Sequence, residues 1–113
     1  MIELYMAYVK ERLGFESIIE EGKAFVIFKT EGPEIYIQDI YVAPEYRKHG
    51  IMEEMERRVE AIAIARGCTF ATGTVQPSAA NSEASLEYCF KRGYKILEVH
   101  PNVIILRKEL IKE

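Results

Sequence analysis

Apolar positions along this chain switch between the two-residue period of strands and the three-to-four-residue period of helices, and the switches divide it into elements. Ile2, Tyr5, Met6, Val9 and Leu13 recur at helical spacing, which predicts a helix over residues 2–13 with Gly14 as its stop. Lys23 to Thr30 carries Phe25, Val26, Ile27 and Phe28 and reads as a strand. Glu31-Gly32-Pro33-Glu34 is turn chemistry, so this strand and the next, ending at Val42, predict an antiparallel hairpin. Pro44 ends the second strand, because it lacks an N–H for the ladder. From Ile51 to Arg66 the helical period returns, with Met52, Met55, Val59 and Ile62 as its buried stripe. Glu53, Glu54, Glu56, Arg57, Arg58 and Glu60 are predicted to face water, and Gly67 to form a left-handed cap. Cys68 to Val75 is a further strand, parallel to the one before Pro44 because a helix connects them. Ser78 or Asn81 caps the next helix, which runs to about Lys91 before Gly93. Tyr94–Val99 and Val103–Lys108 close the chain as a second hairpin.

This order predicts one α/β domain over residues 1–113, with a mixed, mostly antiparallel central sheet flanked by helices. A hydrophobic fraction of 49% and a charged fraction of 29% fit an ordinary globular protein with a single core. The net charge of −3 argues against a general nucleic-acid binder held by phosphate neutralisation. No apolar run approaches the ~20 residues of a membrane span, and the opening MIELYMAYVK has no basic leader. Cys68 and Cys89 lack metal-ligand spacing, so a metal-free, cytoplasmic protein is expected.

The candidate chemistry lies in EIYIQDIYVAPEYRKHGIM, residues 34–52, a strand that runs through a basic turn into a helix. Free backbone N–H groups and the positive end of a helix dipole meet there. Arg47, Lys48 and His49 at that end call for an anion. These residues resemble the acyl-CoA signature of the GNAT superfamily of N-acyltransferases. That pattern is Arg or Gln, two residues, Gly, one residue, then Gly or Ala, after a strand ending in Val-x-Pro. Arg47 and Gly50 fit, whereas Met52 stands where the family has Gly or Ala. The resemblance implies that the CoA pyrophosphate sits on the N–H groups of His49, Gly50, Ile51 and Met52, beside Arg47 and Lys48. It implies too that the pantetheine arm pairs with the backbone near Tyr41 and Val42.

A second patch, NSEASLEYCFKRGY over residues 81–94, resembles the helix that in this family carries a tyrosine near the CoA sulfur. Counting from Asn81, which the resemblance places beside the cofactor, puts Tyr88 at that position; counting back from Gly93-Tyr94 puts Cys89 there. Either group can protonate a leaving thiolate, and a single-residue irregularity near the helix end would favour Tyr88. The family's acidic base falls at Gln38, which cannot titrate. Asp39 is adjacent, but strict alternation places it on the opposite face. Asp39 from that face, a water relay, or no side-chain base all remain open.

The resemblance covers roughly residues 23–108 and implies a GNAT-like fold lacking the usual first strand, since one helix fits in the first 22 residues. It implies an N-acetyltransferase in which an amine attacks acetyl-CoA directly. The alternative is a non-catalytic CoA-binding or protein-interaction module on the same fold. The expected partners are acetyl-CoA and an amine acceptor, with no nucleic acid and no membrane. A sheet without its first strand also leaves an edge open to a second copy, as a homodimer.

Overall fold

The structure is a computed structural model that describes residues 2–110; the side chain of Ile2, first in the predicted stripe, lies outside the described residues. The elements run α1 (Ile2–Leu13), β1 (Glu16–Glu20), β2 (Ala24–Glu31), β3 (Glu34–Val42), a short 3-10 turn (Pro44–Tyr46), α2 (Ile51–Ala65), β4 (Phe70–Val75), α3 (Ser82–Lys91), β5 (Lys95–His100) and β6 (Val103–Glu109). The strands form one sheet in the order β1-β2-β3-β4-β6-β5. Every neighbouring pair is antiparallel except β3 and β4. The mixed, mostly antiparallel α/β architecture is the one expected.

The first 22 residues hold more than the helix expected of them. Glu16–Glu20 is a strand that pairs antiparallel with β2, Ile18 opposite Val26. Its sequence, ESIIE, offers two adjacent apolar residues and no alternation, so it forms because the edge of β2 supplies the ladder. In α1, Met6 and Val9 are buried against Ile27, but Tyr5 and Leu13 of the predicted stripe are exposed. Helix α2 buries Met55, Val59 and Ala63, with Met52 and Ile62 packed at the margin. One of its residues expected in water is buried instead: Glu56, at 4% exposure. Its neighbours are cations from α3 and β6, which a reading of α2 alone cannot supply.

Both α2 and α3 end as predicted, on glycines in the left-handed region, Gly67 (φ 85°) and Gly93 (φ 96°). Past Gly93, the Tyr94 N–H donates to Cys89 O at 2.9 Å and the Gly93 N–H to Phe90 O at 3.1 Å. That pair of bonds closes a regular helix. The irregularity that would have favoured Tyr88 over Cys89 is therefore absent.

A β-bulge interrupts the β2–β3 ladder. Ile27 opposes Asp39 and Phe28 opposes Ile37, which leaves Gln38 as the extra residue. The face switch is visible in the core, where Ile35 and Ile37 join Ile40 and Val42 in one cluster although their numbers differ in parity. That cluster, under α2, includes Phe28, Ile35, Met55 and Leu106.

Phe28, 2% exposed, is the test of this core. Phe28→Ala should lower unfolding free energy by about 3–5 kcal/mol in chemical denaturation. The exposed Arg58–Glu20 pair is the control, since Arg58→Ala should cost under ~1 kcal/mol. Equal losses would show that Phe28 is not anchoring the core.

Candidate active site

Strands β3 and β4 are hydrogen-bonded neighbours for only three residue pairs, Glu34–Phe70, Ile35–Ala71 and Tyr36–Thr72. Beyond Tyr36, β3 continues with β2 while β4 continues with β6, so the two part. The gap is a cleft of about 610 Å³. Ile37 to Val42 line one wall and Gly73 to Val75 the other, with Met52 and Glu56 from α2. Asn81, Ala84, Ser85, Tyr88 and Cys89 complete it from the α3 side. Gln38 and Asp39, which strict alternation would separate, both line this cleft and both are exposed.

At one end the cleft adjoins a second recess of about 260 Å³ over the start of α2. Val42, Arg47, Met52 and Tyr88 line both. Lys48 (φ 66°) and Gly50 (φ 78°) turn the chain through the left-handed region there. Gly50 is the N-cap and offers no side chain, so the first N–H groups of α2 have no side-chain acceptor. Lys48, Gly50, Ile51 and Met52 line the recess, whereas His49 is exposed beside it and does not. Arg47 folds back: its Nε donates to Val42 O at 3.0 Å, and its guanidinium lies 5.5 Å from the Tyr41 ring centre. Asn81 stands at the N-cap of α3 in a left-handed conformation (φ 63°) and makes no capping bond with its side chain. Ser78 does not cap it either; its N–H donates to Asn102 Oδ1 at 3.1 Å.

Tyr88 and Cys89 are both half-buried cleft residues. They differ in partners. Tyr88 Oη donates to Glu56 Oε2 at 3.1 Å, while Arg92 Nε donates to Glu56 Oε1 at 3.0 Å. Lys108 Nζ stands 3.4 Å from Glu56 Oε1 and 2.8 Å from Glu60 Oε2. Burial, followed by the contact with Glu60, pushes the Glu56 carboxyl above its ordinary range. Burial also raises the Tyr88 phenol, and the Glu56 charge adds to it. The Cys89 thiol is raised for the same two reasons. Glu56 is the residue that sequence reasoning missed. Its position was a weak signal, since Glu54 and Glu56 both flank Met55 of the apolar stripe.

This fold is one found among acetyltransferases. The PaiA N-acetyltransferase of Thermoplasma acidophilum, solved with coenzyme A, superposes with a TM-score of 0.75 at 16% identity, covering 96% of this chain and 70% of that one. The ribosomal-protein-S18-alanine N-acetyltransferase of Escherichia coli superposes with a TM-score of 0.75 at 17% identity, covering 100% of this chain and 79% of that one. The model of the Acetyltransferase (GNAT) family matches residues 4–84, more than half of the chain, and the chain belongs to that family. A thialysine N-epsilon-acetyltransferase of Sus scrofa is 41% identical over 49 residues, which is 42% of this chain. The matched stretch is only 29% of that relative's length.

The charge state of Glu56 is open to a stability test. A carboxyl whose folded pKa is raised contributes fully below its unfolded value near ~4.3, and that contribution is lost as pH rises through the folded value. Glu16, lowered by its hydrogen bond to Arg66, has the opposite slope, so wild type must be read against a variant. The stability of wild type relative to Glu56→Gln should fall as pH rises from about 4 to 8, measured by urea denaturation. A difference that grows with pH would mean that the fold favours the ionised carboxylate.

Proposed function

We propose that this chain is an acyl-CoA-dependent N-acetyltransferase that passes an acetyl group from acetyl-CoA to an amine. The observation that carries the reading is the continuity of the two recesses. A track runs from the uncapped start of α2, past Val42, to Tyr88 and Cys89 in the cleft. That is the order in which a cofactor with a pyrophosphate at one end and a thioester at the other would need its partners. Family membership and neighbours that include a coenzyme A complex support it.

In this reading the pyrophosphate lies on the N–H groups of Gly50 to Met52, which line the recess, with Lys48 beside it. Arg47 assists with the guanidinium N–H groups it does not spend on Val42. Pantetheine follows Tyr41 and Val42, and Asn81 faces it from the opposite side. The amine then attacks the thioester carbonyl and loses a proton to Asp39 or to water. The thiolate leaves and takes a proton from the Tyr88–Cys89 turn. Positioning supplies most of the acceleration. The name of the thialysine relatives makes a flexible side-chain amine the first acceptor to try. Two unpaired thiols suit a reducing compartment, so the cytoplasm is the proposed location. Among the described residues no helix is long and apolar enough to cross a membrane.

Coenzyme A at about 100 times its Kd should stabilise wild type by about 2.7 kcal/mol. Gly50→Glu should remove that stabilisation. The open space in front of Gly50 leaves room for a side chain, so the variant folds with about 1–2 kcal/mol of backbone strain and places a carboxylate against phosphate. Wild type that melts unchanged in millimolar coenzyme A would refute the cofactor.

Turnover is checked by thiol release with thialysine, a lysyl peptide and spermidine. Tyr88→Phe should lower kcat roughly 10²-fold with little change in the KM for acetyl-CoA, and Cys89→Ala should change little. The reverse pattern would move the acid to Cys89. Binding without transfer to any amine would identify a non-catalytic module.

A further inference from the structure

Tyr88 cannot give up its proton in the arrangement described. Its hydroxyl is donated to Glu56 Oε2, so the proton is already held in that bond. A phenolate formed there would also face an ionised Glu56 across 3.1 Å, two like charges in a buried place. The surroundings of Glu56 show how the conflict is relieved. Glu56 and Glu60 stand one helical turn apart on α2 and share a single lysine, which is nearer to Glu60. Glu56 has Arg92 on Oε1 and the Tyr88 hydroxyl on Oε2, and it also contacts the Glu60 carboxyl. It is 4% exposed, yet it lines the cleft.

We infer that Glu56 is the proton store behind Tyr88, a positioning residue that acts through the phenol and never touches substrate. With Glu56 protonated, its O–H donates to Tyr88 Oη across the same contact, and the Tyr88 O–H is released toward the cleft. When the C–S bond breaks, sulfur takes the Tyr88 proton and Tyr88 Oη takes the Glu56 proton. Glu56 is left as a carboxylate on Arg92 Nε, with Lys108 3.4 Å from the same oxygen. The proton lost by the amine restores Glu56 through solvent, so the cycle balances and no phenolate is formed. The raised Glu56 carboxyl accords with this.

The groups whose charge bears on Glu56 come from every element packed on it. These are Glu60 on α2, Tyr88 and Cys89 on α3, Arg92 at its C-cap, Tyr94 beyond it, and Lys108 on β6; Glu53 acts on Tyr88. Among them Glu56 alone is a buried carboxyl in contact with the phenol. In this scheme the acid is lost when Glu56 ionises, without the phenol itself titrating.

This inference rests on Tyr88 being the acid, and the test separates the two. Single-turnover thiol release from acetyl-CoA is followed against pH, with the panel amine that wild type acetylates fastest. Wild-type rates should reach a plateau and fall on the alkaline side as the store empties. Glu56→Gln keeps the shape and the hydrogen bond to Tyr88 but holds no transferable proton. Its maximum should drop roughly tenfold, and its alkaline fall should be absent up to the ordinary phenol range near ~10. The KM for acetyl-CoA should not move. Should Glu56→Gln fold poorly, a proton inventory on wild type in mixed light and heavy water distinguishes the same alternatives. A bowed plot means two protons in flight and a straight one means a single proton. A straight plot, or an unchanged pH profile in Glu56→Gln while Tyr88→Phe is impaired, overturns the store and leaves Tyr88 as the acid. A fully active Tyr88→Phe overturns both.

Discussion

The parting of β3 from β4 after three paired residues is the constraint on which the rest depends. A parallel pair has no short turn to hold its ends, so its length is set by what else each strand bonds. β3 stays with β2 through Val42, and β4 stays with β6 through Val75. The bulge at Gln38 adds local twist to β3 just where the two strands separate. Peptide groups of β3 on that side lose their neighbours, and buried backbone groups need partners. One is visibly met from a side chain, where Arg47 Nε bonds Val42 O. The cleft is thus a place where the sheet has unfinished hydrogen bonds, which suits an extended ligand with amides of its own.

Helices α2 and α3 give the cleft its chemistry because they close it from one side. Met55 and Val59 fix α2 to the sheet, which sets Glu56 at the cleft margin one residue further round. The cap at Gly93 ends α3 so that Arg92 reaches back to Glu56, while Tyr94 enters the core. Lys108 arrives from β6, 52 residues along the chain from Glu56. The partners overlap: without Arg92, Glu56 keeps Lys108, and without Glu56, Lys108 keeps Glu60. The cluster ties α2, α3 and β6 together through charge where the core ties them through contact.

Most of the fold was legible because the main elements carry periods long enough to read. The α2 stripe, the β2–β3 hairpin and the glycine caps at Gly67 and Gly93 announce themselves locally. Three features were not legible, each for a nonlocal reason. β1 exists because β2 offers it an edge, not because ESIIE alternates. Tyr5 and Leu13 are exposed because the sheet face under α1 accommodates only Met6 and Val9. Glu56 looks like a solvent residue until Arg92 and Lys108 come from distant elements to meet it. At the site, Arg47, Gly50, Tyr88 and Cys89 were readable as residues, but the parting of β3 from β4 that leaves both Gln38 and Asp39 lining one cleft was not.

The start of α2 shows how an anion would be held without net positive charge. Glu53 lines the same recess as Lys48, and Glu54 follows it, so the first turn already carries two acids. Glu53 is partly neutralised by Arg57 at 3.6 Å, an exposed pair that contributes little to stability. Arg47 is turned inward to Val42 and Tyr41, which leaves Lys48 as the cation lining the recess with a free approach to it. Long-range attraction at this end is therefore weak, and at physiological salt it is screened within ~8 Å. What distinguishes the turn is its backbone: the first N–H groups of α2 have no side-chain cap, and the left-handed Lys48 and Gly50 line the recess beside them. Such donors reward an anion that sits at hydrogen-bond distance and are indifferent to one that passes by. If the proposed cofactor binds here, recognition depends on fit at the backbone, and a side chain at Gly50 then matters more than the loss of any single cation.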